Sequence, residues 1–164
     1  MAVDKNKIIA EATKLVQKGA HDKAIQTYQR ILAEDPKDVR VLLKVAELFQ
    51  KKGDARAAAE AFDRVAQTYA EQGFFLKAVA VYKQIVKLDP EDVRVNEQLA
   101  ALYQQLGLYD KALPLLTAAL ATQRTYFGNT HEATLSVLED LASLHHVRTD
   151  FAAAQPLYEE ALAT

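Results

Sequence analysis

The sequence predicts an all-α solenoid of about nine antiparallel helices, forming a single domain over residues 1–164. Three observations carry this. Half of the residues are hydrophobic and 26% are charged, with Ala, Leu, Lys, Glu and Gln, all strong helix formers, in the majority. Five Gly and four Pro are too few for a loop-rich β-sandwich. Finally, residue types recur at one set of intervals. Gly19, Gly53, Gly73, Gly107 and Thr149 are separated by 34, 20, 34 and 42 residues. Ala24, Ala58, Ala78, Ala112 and Ala154 step identically, as do Tyr28, Phe62, Tyr82, Leu116 and Tyr158, and Ile31, Val65, Ile85, Ala119 and Ala161.

These intervals place the helices in order. The first covers 4–18 and stops at Gly19. The second, 21–34, carries Ala24, Tyr28 and Ile31 at i, i+4 and i+7, one face of a helix. The third, 38–52, has apolar residues at 41, 42, 45, 46, 48 and 49, a helical period. Gly53 ends it as a left-handed cap, and Asp54 caps the fourth, 55–71. There Ala58 lets two helices approach closely and Phe62 fills the space beside it. The fifth, 75–88, repeats that face with Ala78, Tyr82 and Ile85. The sixth, 92–106, ends at Gly107, and the seventh, 109–123, carries Ala112, Leu116 and Ala119. A longer loop leads to the eighth, 132–147, and Thr149 separates it from the ninth, 150–163. Such short turns force neighbours antiparallel. Pro114 and Pro156 lie about a turn into their helices, where the missing N–H has no bond to lose, so no break is expected.

One step is anomalous. From Ala58 to Ala78 there is room for one helix and a turn only. Helix 55–71 therefore carries two signatures: Ala58, Phe62 and Val65 of a second helix, and Phe62, Ala66, Tyr69 and Gly73 of a first. The odd helix count disturbs the pairwise alternation and predicts an irregularity near 55–71.

The combined pattern resembles the tetratricopeptide repeat, a 34-residue helix–turn–helix unit. Residues 5–38 match through Ala12, Gly19, Ala24, Tyr28 and Pro36. Residues 39–72 match through Leu42, Ala46, Phe49, Gly53, Ala58 and Phe62, and residues 93–126 through Leu99, Ala100, Tyr103, Gly107, Tyr109, Ala112 and Ala119. An overlapping repeat falls at 59–92 and a last one at 135–164. The last, with its 42-residue step, Gly128-Asn129-Thr130-His131 loop and Pro156-Leu157-Tyr158 run, is similar to the kinesin-light-chain type. It departs from that type at Glu132, where Pro is usual, and at Glu139-Asp140, where Asn-Asn is usual. The resemblance implies a right-handed superhelix and a non-catalytic scaffold or adaptor that binds a peptide or helix of another protein on its concave face.

By the same resemblance the first helix of each repeat lines that face. The residues concerned are Asn6, Ile9, Ala10, Thr13, Val16 and Gln17, then Arg40, Leu43, Lys44, Glu47, Gln50 and Lys51. Further along they are Arg94, Glu97, Gln98, Ala101, Gln104 and Gln105, and Ser136, Glu139, Asp140, Ser143, His146 and Val147. Leu43 and Glu47 stand where carboxylate-clamping members carry Lys and Asn, so binding of a chaperone terminus is not implied. Charge is graded along the chain: residues 1–53 carry a net +4, 54–107 a net −2 and 108–164 a net −4. A ligand of mixed charge suits such a surface.

Other functions find little support. There is no Cys, so no disulfide frame or thiolate metal site, and His145 and His146 are adjacent, about 100° apart on a helix. No metal and no cofactor is expected. Asp140, Ser143 and His146 stack along one helix face without an oxyanion hole, which does not make a triad. No basic stripe suits nucleic acid and no apolar run suits a membrane, so a cytoplasmic location is expected. The final helix carries Leu157, Ala161 and Leu162 with no polar capping helix after it, which supports a second reading: self-association, giving a homo-oligomer.

Overall fold

A computed structural model describes residues 4–163. These form nine α-helices and no strand. The chain divides into two compact units at Val81/Tyr82. The first holds α1 (Lys5–Gln17), α2 (His21–Glu34), α3 (Val39–Lys51), α4 (Ala55–Glu71) and the start of α5 (Phe75–Leu88). The second holds the rest of α5, then α6 (Val93–Gln105), α7 (Tyr109–Phe127), α8 (Glu132–Val147) and α9 (Phe151–Leu162). In the first unit α1 packs on α2, α2 on α3 and α3 on α4; in the second, α6 packs on α7, α7 on α8 and α8 on α9.

Five of the turns share one hydrogen-bond scheme. The N–H of Gly19 donates to Val16 and that of Ala20 to Leu15, a Schellman closure. Gly53/Asp54, Gly73/Phe74, Gly107/Leu108 and Thr149/Asp150 repeat both bonds. The closing residue has a positive φ in every case, and Thr149 is the single non-glycine among the described residues to adopt one, at 60°. Asp residues then start many of the helices. Asp4, Asp38, Asp54, Asp92 and Asp150 each accept a backbone N–H of the helix they precede. Asp38 is also buried. Burial works to raise its carboxyl, but the Lys5 ammonium and the Val41 and Arg40 N–H groups outweigh this and hold it below the usual carboxylate range.

The interval series form the core. Ala24, Ala58, Ala78, Ala112 and Ala154 are all 0–2% exposed. Tyr28, Phe62, Tyr82 and Leu116 are buried beside them, each worth roughly 1.5–3 kcal/mol of hydrophobic stabilisation. In α9 the series weakens, for Tyr158 and Ala161 are only half-buried.

Three details differ from expectation or refine it. α7 runs to Phe127 rather than 123, because nothing breaks it before Gly128, whose φ is 81°. α7 and α9 continue through Pro114 and Pro156, as expected, but each is the sixth residue of its helix. At that depth the missing N–H would have reached the carbonyl of Asp110 or Ala152, so one bond is lost and the helix still continues. Last, α4 is a single helix, and the division into units falls in α5, ten residues past the end of α4.

Candidate binding surface

In the first unit, α1 and α3 each bury one stripe, Ile8 and Ala12 on α1 and Leu42, Val45 and Ala46 on α3. α3 also buries Val41 and Leu48, and one face of each helix stays open. Thr13 and Val16 of α1, Lys44, Glu47, Leu48 and Lys51 of α3 and Tyr28 of α2 surround a hollow of about 150 Å³. Five of these seven are sequence-predicted lining residues: Thr13, Val16, Lys44, Glu47 and Lys51. Tyr28 and Leu48, which carry the core pattern, form its apolar part. Lys44 pairs with Glu47 at 3.3 Å one turn along α3. Arg40 and Gln50 are exposed and Leu43 is half-buried on the same helix, outside the hollow. Asn6, Ala10 and Gln17 are exposed on α1 and Ile9 is half-buried.

In the second unit, α6 exposes Arg94, Gln98, Ala101 and Gln105 and half-buries Glu97 and Gln104. α8 exposes Ser136, Glu139, Asp140, Ser143, His146 and Val147. The two helices meet electrostatically. Burial pushes the Glu97 carboxyl up, and the nearby Asp140 charge pushes it further. Asp140 is raised by burial and then by Glu139. Asp140 is open to solvent on one side, yet chain packed around its other side desolvates the carboxyl. Glu97, Asp140 and Glu139 therefore form a joint acidic surface, in which the Asp140 charge disfavours that of Glu97 and the Glu139 charge that of Asp140. This favours an incoming cationic group over an anionic one.

The remaining singled-out side chains have local roles. The Ser143 hydroxyl lies 3.2 Å from the Tyr158 hydroxyl of α9, a contact that the spacing of residues does not reveal. His146 sits edge-on to the Phe151 ring at 5.1 Å. His145 Nδ1 lies 3.2 Å from Asp150. His131 caps α8 by accepting the Ala133 N–H and stacks on Phe127 at 4.7 Å. No group of three or more His, Cys, Asp or Glu among the described residues could hold a metal ion. No described helix is long and apolar enough to cross a membrane. Phe74, in the turn before α5, is 49% exposed and carries the Lys77 ammonium 4.6 Å from its ring centroid. At the far end, Leu157 and Ala161 are half-buried and Leu162 is 88% exposed.

Three family models, each described as tetratricopeptide repeat, match residues 15–73, 59–92 and 92–164. The first two overlap over 59–73, the greater part of α4. The general transcriptional corepressor trfA of Dictyostelium discoideum is 27% identical over 128 residues, 68% of this chain. The BBSome complex member BBS4 of Bos taurus is 29% identical over 154 residues, 86% of this chain. The chain spans only 9% and 28% of the length of these two relatives. Among solved structures, BtubC (BKLC) from P. vanneervenii is similar over 99% of this chain and 74% of its own, with a TM-score of 0.60 and 21% identity. The kinesin light chain TPR-like repeats of Podosopora anserina are similar over 96% of this chain and 92% of their own, with a TM-score of 0.54 and 19% identity.

Proposed function

Because the chain belongs to the tetratricopeptide repeat family, whose repeats generally mediate contacts between proteins, we propose that it is a non-catalytic adaptor. It binds a peptide or helix of a partner protein on the first-helix faces, the concave side by resemblance. In the first unit that surface is α1 with α3, and in the second it is α6 with α8. The observation that supports this reading is the hollow in which Thr13 and Val16 meet Lys44, Glu47 and Lys51. Residues from two helices turn open polar ends and half-buried apolar flanks to one space, as a peptide groove needs. The graded charge sets polarity: cations dominate the first unit's face and carboxylates the second's. The names of the relatives, a corepressor and a member of a complex, suit a protein that works through other proteins. Its place of action, on the same reading, is the cytoplasm.

The test is affinity capture from a lysate with the wild type beside Arg40→Glu/Lys44→Glu. Both sites are exposed, so circular dichroism should show equal helicity. A partner lost only from the double variant is the expected result, and equal capture by a folded variant contradicts it.

The 88% exposure of Leu162 favours a second reading, self-association through α9 with Leu157 and Ala161 beside it. On that reading the wild type shows a concentration-dependent mass that Leu162→Glu lowers, and Arg40→Glu/Lys44→Glu leaves capture unchanged.

A further inference from the structure

A larger open space lies on the opposite side of α6 from Glu97 and Ala101. The second half of α5 and the start of α7 form its walls and α6 its floor, and it encloses about 440 Å³. Leu99 and Tyr103, both largely buried, form the bottom of the floor. Each lies two residues from a first-helix-face position, Glu97 and Ala101, and two residues turn a helix by about 200°. The space is therefore separate from the surface proposed above. Val86 of α5 and Pro114 and Leu115 of α7 complete an apolar trough.

The rim is what defines the occupant. Lys83 and Lys87, one turn apart on α5, edge one side, and Lys111 of α7 the other. Neither Lys83 nor Lys87 has an ion-pair partner among the described residues. Lys111 lies over the Tyr103 ring, its Nζ 5.8 Å from the centroid, which holds that cation against the trough. The one carboxylate on the rim, Asp110, is already engaged by Arg148 at 2.8 Å. Three cations thus flank an apolar floor, and the one rim anion is neutralised from outside. This imbalance stands within an acidic unit, since residues 82–164 carry six Lys/Arg against eleven Asp/Glu, a net −5.

We propose that this trough is a second docking site and that its occupant is an acidic amphipathic segment of a partner protein. The segment lays apolar side chains on Leu99, Tyr103, Val86 and Leu115 and sets Asp or Glu against Lys83, Lys87 and Lys111. A helix laid in a groove, with anchors at i, i+3 or i+4, fits a trough bounded by two helices. The carboxylates meet three lysines, none of which is in an ion pair among the described residues, so the segment gains charge pairing without breaking one already made.

The experiment selects short random peptides displayed on phage against the wild type, then measures each enriched peptide by fluorescence anisotropy. The comparison proteins are Lys83→Glu/Lys87→Glu, Leu115→Ser and Arg40→Glu/Lys44→Glu, each checked for helicity. The expected result is a group of peptides with Asp or Glu beside large apolar residues. Their affinity falls about tenfold or more on Lys83→Glu/Lys87→Glu, falls on Leu115→Ser, weakens as salt rises and is unchanged on Arg40→Glu/Lys44→Glu. The proposal is overturned if no enriched peptide is sensitive to the lysine exchange, or if the sensitive peptides are basic. It is likewise overturned if sedimentation shows the wild type self-associating through the trough, in a manner that Lys83→Glu/Lys87→Glu abolishes. The occupant would then be a second copy of this chain.

Discussion

At the scale of single residues, Thr149 is the exception that tests the repeat logic. It makes the same pair of closing hydrogen bonds as the glycines and adopts the same left-handed backbone, at φ 60°. A β-branched side chain there clashes with its own carbonyl, at a cost of roughly 1–2 kcal/mol. Thr149→Gly removes the clash but gains chain freedom when unfolded, worth roughly 0.5–1 kcal/mol. The net expectation is a stabilisation of about 0.5–1 kcal/mol, read as a rise of about 1–4 °C in thermal midpoint. The converse exchange, Gly53→Ala, should destabilise by a net of about 0.5–1 kcal/mol through the backbone alone, since an added Cβ meets nothing within 4 Å. A midpoint for Thr149→Gly below that of wild type would show that the turn relaxes around threonine without strain.

At the scale of elements, the α6–α8 pair adds a pH dependence of its own. Glu97 and Asp140 both have carboxyls raised above their ordinary values of 4.5 and 3.8, chiefly by burial and then by a neighbouring carboxylate. A raised carboxyl in the folded state means that folding disfavours ionisation. Stability is therefore highest below the unfolded value and is lost as pH rises through the folded one. Glu97→Gln should melt about 1–2 °C above wild type at pH 7, with the difference vanishing near pH 4. A melting advantage that persists undiminished at pH 4 would assign it to packing rather than charge.

Elements were also where the sequence was most readable. Identical intervals in four residue series located all nine helices, because buried Ala and its aromatic partner must recur wherever two helices pack closely. Less was readable at helix ends and between helices. The four extra residues of α7 carry no interval signal, since only Gly128 stops the helix. Tyr28 reads as core and is core, yet its ring also lines the α1–α3 hollow. The approach of Asp140 to Glu97 and the Ser143–Tyr158 contact depend on how α8 is placed against other helices, which spacing along one chain does not encode. The Lys83, Lys87 and Lys111 rim is invisible for the same reason: Lys111 is distant in sequence and joins the other two only across α6.

At the scale of the whole molecule, this tetratricopeptide chain presents open helix faces, some basic and some acidic. On the proposed reading, its function rests on which faces a partner covers. The most direct measurement is amide chemical-shift mapping of the isotope-labelled chain as a captured partner segment is added. The account predicts that the largest shifts fall on the first-helix faces: at Thr13, Lys44 and Lys51 in the first unit, and at Glu97, Gln98 and Asp140 in the second. Shifts confined to α2, α4 and α9, with those positions unmoved, would contradict it.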